Sequence, residues 1–133
     1  MALRLDHVRV RDVMHNRILS CAPVLPLSDV AAVMAKNRVH AVAITEPGAS
    51  RPLGVVSDRE VVAAVATGVQ LSAGEAVSSE QPTVSANERV RRAAQLMSEH
   101  GVSHLVVVDA AGGFPVGIVS SLDIAAIYAQ GVE

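Results

Sequence analysis

The sequence predicts an α/β (α+β) fold built from two copies of one β-α-β-β-α unit. Three observations carry this. First, an offset of 63 positions lays the chain over itself without a gap: Met34 falls on Met97, Val39 on Val102, and Pro52-Leu53-Gly54-Val55-Val56-Ser57 on Pro115-Val116-Gly117-Ile118-Val119-Ser120, with Gly68-Val69 on Gly131-Val132. Self-similarity of this kind marks a structural repeat. Second, within each copy the apolar pattern switches between helical spacing and short β-branched runs. Third, apolar residues make up 50% of the chain, yet there is one Phe, one Tyr and no Trp. The core is therefore made of Val, Ala, Leu, Ile and Met, which suit thin sheets under closely packed helices.

Each element follows in order. In the first copy, a short extended piece around Ile18 to Cys21 precedes a helix from about Ser28 to Asn37. Then come a strand from Ala41 to Thr45, a loop through Pro47-Gly48, a strand from Leu53 to Val56 and a helix from Asp58 to Thr67. In the second, an extended piece from Pro82 to Val84 leads to Ser85 or Asn87, either of which can cap a helix beginning near Glu88. Val90, Ala93, Ala94 and Met97 form its apolar stripe, and Gly101 ends it. His104 to Val108 reads as a buried strand, Asp109 to Gly113 as a turn, and Pro115 to Val119 as a second strand, with Pro115 tolerated at its first residue. A last helix runs from about Ser121 to Ala129. The repeats are placed at residues 8–68 and 75–130, with 69–74 as a short linker.

One half has too little core to stand alone. The helices after the second strands, around Val61–Ala66 and Ile124–Ala129, are apolar on nearly every side, which predicts burial on more than one face. A homodimer would supply the second face.

Charge and targeting narrow the function classes. The 11 basic and 13 acidic residues leave a net charge of −2. Lys36 is the single lysine, and no basic run tracks along the chain. That argues against nucleic acid and against an anionic membrane surface. Cys21 stands alone, so neither an intramolecular disulfide nor a zinc ribbon can form, and a free thiol fits the reducing cytoplasm. The start of the chain, broken by Arg4 and Asp6, lacks the apolar core of a signal peptide. The longest apolar stretch is too short to span a bilayer. A soluble, cytoplasmic protein is expected.

The segments Gly54-Val55-Val56-Ser57-Asp58-Arg59-Glu60 and Gly117-Ile118-Val119-Ser120-Ser121-Leu122-Asp123, with Val102–Asp109 and the opening Val10-Arg11-Asp12-Val13-Met14, resemble a tandem pair of cystathionine-β-synthase (CBS) domains, the Bateman module. The resemblance covers about Val8 to Tyr128. It implies a disc-like module whose two repeats are related by pseudo-twofold symmetry and whose clefts hold AMP, ADP, ATP or S-adenosylmethionine. It also implies a stand-alone regulator acting in trans on a partner protein, with no required cofactor and no chemistry of its own.

Carried onto this chain, the resemblance makes Asp123 the ribose-binding carboxylate and Ser120 a donor to ribose or phosphate at a helix N-terminus. The plain alternative is a Ser-x-x-acid capping box worth about 1 kcal/mol. Ser57 and Glu60 hold the equivalent place in the first repeat, where Glu departs from the usual Asp. Arg59 could pair with phosphate or be a solvated charge. His40 and His104 stand at the starts of equivalent strands, one position out of register, as phosphate contacts or structural residues. His7, His15 and His100 read as solvated. Adenine recognition is expected from backbone groups near Thr83 and Val102. A metal site from His40 and His104 needs further ligands that the spacing does not offer. An enzyme is disfavoured, because Cys21 has no placed His and no Lys-bearing phosphate loop occurs. The competing reading is a ligand-free dimerisation or adaptor domain whose clefts have lapsed.

Overall fold

β-Branched runs form strands wherever a helix can cover them, and both copies do this in the same order. The computed structural model describes residues 4–77, 82–111 and 113–131; Val132 of the repeat overlay and Gly112 of the second turn lie outside the described residues. A 3-10 turn (Arg4–His7) is followed by α1 (Val10–Val13), β1 (Ser20–Cys21), α2 (Leu27–Asn37), β2 (Ala41–Ile44), β3 (Gly54–Ser57) and α3 (Asp58–Thr67). Next come α4 (Ala73–Ala76), β4 (Thr83–Ser85), α5 (Val90–His100), β5 (His104–Val108), β6 (Pro115–Ser120) and α6 (Ser121–Gly131). The chain divides into two compact units, one of Ile18–Gln81 and one of Met1–Arg17 with Pro82–Glu133.

Each unit holds a three-stranded mixed sheet. Its first strand runs parallel to the second, which pairs antiparallel with the third. The parallel step needs a crossover, supplied by α2 in one unit and α5 in the other. The registers coincide under the 63-residue offset: Ser20 faces Ala43 as Thr83 faces Val106, and Ala41 faces Ser57 as His104 faces Ser120. Period-2 alternation turns Val42 and Ile44 toward Val30 and Met34 of α2, while Leu105 and Val107 meet Ala93 and Met97 of α5. Each fully buried Val, Leu or Ile side chain contributes roughly 1.5–3 kcal/mol.

The opening of each repeat packs in the unit formed by the strands of the other. Ahead of α5, Val10 N–H donates to Glu88 O (2.8 Å), Arg11 N–H to Ala86 O (3.0 Å) and Val90 N–H to Val8 O (3.0 Å). Ahead of α2, Ala73 N–H donates to Leu25 O (2.7 Å), Gly74 N–H to Pro23 O (2.9 Å) and Leu27 N–H to Leu71 O (2.8 Å). These are the same three bonds moved by 63 positions. Val10 and Ala73 are each completely buried, so the segment read as a linker from 69 to 74 is packed structure at its C-terminal end. Two short helices the sequence did not suggest, α1 and α4, begin there. Glu75 caps α4 by accepting from the Ser72 amide at 3.0 Å, and that hydrogen bond holds its carboxyl below the usual range.

The same bonds displace the start of α5 from the expected Glu88 to Val90, with Arg89 as an N-cap that makes no side-chain capping bond and whose guanidinium instead donates to the Asp6 carbonyl. The Arg9–Arg89 antiparallel bridge keeps the backbone extended up to that point. Ser85 accepts from Asn87 N–H at 3.2 Å and closes a turn there. At the helix ends, Gly101 (φ 62°) is the left-handed stop the sequence predicts, but its counterpart is Arg38 (φ 55°). The helices α3 and α6 each leave an outer face open: Val65 is 78% exposed and Leu122 79%.

Two substitutions test this account. Arg38→Gly removes the side-chain crowding of a left-handed residue and should stabilise the protein by roughly 0.5–1 kcal/mol in urea unfolding. Gly117→Ala places a Cβ only 2.3 Å from the His15 carbonyl oxygen. It should cost about 1–3 kcal/mol by forcing the leader segment away from β6.

Candidate functional site

In both units a strand runs straight into a helix, with a buried or half-buried serine at the junction and an acid three residues later. At the start of α6, Ser120 N–H donates to Asp123 Oδ2 (2.8 Å) and Asp123 N–H donates to Ser120 Oγ (3.3 Å). The capping box expected as the plain alternative is therefore formed. It engages one carboxylate oxygen, whereas a carboxylate offers roughly four acceptor positions. The other oxygen, Oδ1, lies 3.3 Å from Nε2 of His15. The Asp123 side chain is only 16% exposed.

The equivalent acid is used differently. Glu60 Oε1 accepts both the Ser57 amide (2.7 Å) and the Ser57 hydroxyl (2.9 Å). Ser57 Oγ in turn accepts Arg59 N–H at 3.2 Å. Ser57 is almost wholly buried. The extra methylene of Glu lets one oxygen fold back over both groups of Ser57, a geometry that the shorter Asp123 does not adopt.

The two histidines differ in burial. His104 lies on β5, buried, directly opposite Ser120 across the antiparallel pair. His40 precedes β2 and is exposed; its carbonyl accepts Asp58 N–H (2.9 Å), and its Nδ1 lies 2.8 Å from Asp58 Oδ2. Asp58, which sequence reasoning passed over, closes this pair; its place directly after Ser57 was the available signal. Arg59 is exposed on the first turn of α3, beside Asp58, Val62 and Ala63 around a shallow depression. Thr83 is exposed at the start of β4. Val102 N–H donates to Met97 O at 3.1 Å.

His15 corrects a sequence expectation. Its imidazole is exposed, but it is not merely solvated, because its backbone pairs with Ile118 in both directions (2.9 and 3.0 Å) and its ring reaches Asp123. Nothing local in the sequence announces a contact across more than a hundred residues. Cys21 is buried in β1, and burial pushes its thiol pKa up, which suits a packing residue rather than a nucleophile. No helix among the described residues is long and apolar enough to cross a membrane.

Comparison with known proteins agrees with this geometry. The CBS domain model matches residues 10–67 and again 73–130. A CBS domain protein from Pyrobaculum aerophilum, solved in complex with AMP, is 31% identical with a TM-score of 0.78, over 92% of this chain and 97% of that one. The CBS domain-containing protein YhcV of Bacillus subtilis is 28% identical over 103 residues, 75% of this chain and 72% of YhcV. A homoserine O-acetyltransferase from Methanosphaerula palustris is 29% identical over 127 residues, 96% of this chain; the chain spans only 25% of that enzyme's length. The repeated match, the repeated registers and the repeated serine–acid junction together place this chain in the CBS domain family, as a tandem pair of the Bateman type.

Proposed function

We propose that the chain binds an adenine nucleotide at the start of α6 and acts as a regulatory module on a partner protein in trans. The observation that carries this is Asp123: a half-buried carboxylate at a strand-to-helix junction, oriented by the Ser120 amide through Oδ2, with Oδ1, which His15 Nε2 approaches to 3.3 Å, as the acceptor for a sugar hydroxyl. AMP is the first candidate, because the Pyrobaculum aerophilum relative, similar over nearly its whole length, was solved with it. S-adenosylmethionine and the other adenosine phosphates are the next candidates. The α3 junction is the weaker of the two, because Glu60 Oε1 already serves both donors of Ser57; Arg59 would add a phosphate contact there. His104, opposite Ser120, is the further polar group of the α6 junction, and His40 that of the α3 junction. Regulation rather than catalysis also fits the homoserine O-acetyltransferase match, which covers a quarter of that enzyme. The free thiol of Cys21 supports a cytoplasmic setting.

A second reading has its own support. Both acids close onto their own serines, as they would in a dimerisation or adaptor domain with lapsed clefts. A thermal-shift panel separates the two. AMP or another adenosine ligand at about 100 times its Kd adds about 2.7 kcal/mol of stability, a shift of several degrees; no shift with any member selects the adaptor. Asp123→Ala should weaken the ligand by roughly tenfold or more. Asp123→Asn keeps an acceptor for the Ser120 amide, so a matching loss of affinity with little loss of melting temperature assigns the effect to the ligand rather than the cap.

Either reading leaves the apolar outer faces of α3 and α6 to be covered, and we assign them to a second copy of the chain. Val62 and Val65 on α3, and Leu122 and Tyr128 on α6, are all more than half exposed, and exposed large apolar side chains on a helix face mark an interface. Sedimentation at micromolar concentration should show a dimer, and Val65→Glu a monomer. A monomeric wild-type chain would remove the assignment.

A further inference from the structure

The leader segment reaches the carboxylate on which the nucleotide reading depends, and its contact is a competing one. His15 is fixed in its backbone, bonded to Ile118 in both directions, with its carbonyl lodged where Gly117 has no Cβ. Its side chain is 73% exposed, so the backbone is held while solvent reaches the ring. Nε2 lies 3.3 Å from Asp123 Oδ1, the one oxygen of that carboxylate not engaged by the Ser120 amide. A sugar hydroxyl approaching Asp123 must share or displace this contact.

We propose that His15 gates the nucleotide site of the α6 junction. Protonated, the ring forms a charge-assisted pair with Oδ1 and withholds it from the ligand. Neutral, it offers at most an ordinary hydrogen bond, which a ribose hydroxyl displaces at little cost. Protonation of the ring therefore closes the site and loss of that proton opens it. Other ionisable groups stand at the junction, His104 buried on β5 opposite Ser120 and Asp6 and His7 on the 3-10 turn that packs against α6, so the His15 variants are what separate its contribution from theirs. β6 carries no ionisable side chain, and α6 carries only Asp123 and, more than a turn beyond, Tyr128. On α1, Arg11 is bonded to the Asn87 side chain, and Asp12 accepts the Arg9 amide at 3.0 Å. Arg17, two residues along, is exposed.

The inference rests on the nucleotide reading, and the test keeps their failures apart. Affinities of the full chain for AMP and for adenosine are measured at about pH 8 and about pH 5.5, for wild type, His15→Ala and His15→Gln. Adenosine has no phosphate, so its own charge stays constant across this range. Wild-type affinity for adenosine should fall roughly tenfold on acidification. Both variants should hold their pH 8 affinity at the lower pH, with melting temperatures close to wild type. Parallel pH profiles in wild type and variants overturn the gate and leave nucleotide binding standing. Binding of neither ligand at either pH overturns both.

Discussion

The arrangement depends on one set of long-range backbone bonds: within each unit, the leader of one repeat is tied to the segment ahead of the long helix of the other repeat. Val10 N–H to Glu88 O and Val90 N–H to Val8 O close one loop, and Ala73 N–H to Leu25 O with Leu27 N–H to Leu71 O close its counterpart. The leader residues Val10 and Ala73 are fully buried in consequence, as are Leu27 and Val90, or nearly so. A leader that satisfies its own amides on a distant segment can end in a very short helix. Such a helix would be marginal in isolation, and this is why α1 and α4 exist at four residues each.

The leader also explains the composition of the α6 junction. β6 carries Gly117 because a neighbouring backbone passes at the distance where a Cβ would stand, and that backbone is the stretch ending in His15. The glycine of the Gly-Ile-Val-Ser run is thus a packing requirement before it is a ligand feature. Removing the leader would expose Val10's place in the core and free Asp123 from His15 together, so the stability and the chemistry of this junction are linked through one segment.

Much of the fold was legible because local and global preferences agree. β5 and α3 have the bounds that periodicity predicts, and Gly101 ends α5 in the left-handed conformation expected of it. The misses share a cause. The start of α5 moved past Ser85 and Asn87, both good caps, because the Arg9–Arg89 bridge held the chain extended. Local capping chemistry lost to a partner eighty residues away in sequence. The candidate site divides likewise. Ser120 and Asp123 were legible as a spaced pair with two alternative roles, and the cap is present. The contribution of His15 was illegible, since it arrives by backbone pairing, which leaves no side-chain signature.

The cap and the proposed ligand role of Asp123 are compatible for a geometric reason. A capping carboxylate is oriented by its own helix, so the entropy of fixing its rotamer is met on folding rather than on binding. The cap engages Oδ2 and leaves Oδ1 toward the leader. Glu60 shows the opposite outcome: its longer arm brings a single oxygen onto both donors of Ser57, and the same serine–acid spacing becomes chiefly a structural device. One methylene thus separates two junctions that the repeat otherwise makes alike. On the proposed reading, asymmetry of this kind keeps the α6 junction for a ligand while the α3 junction holds the fold.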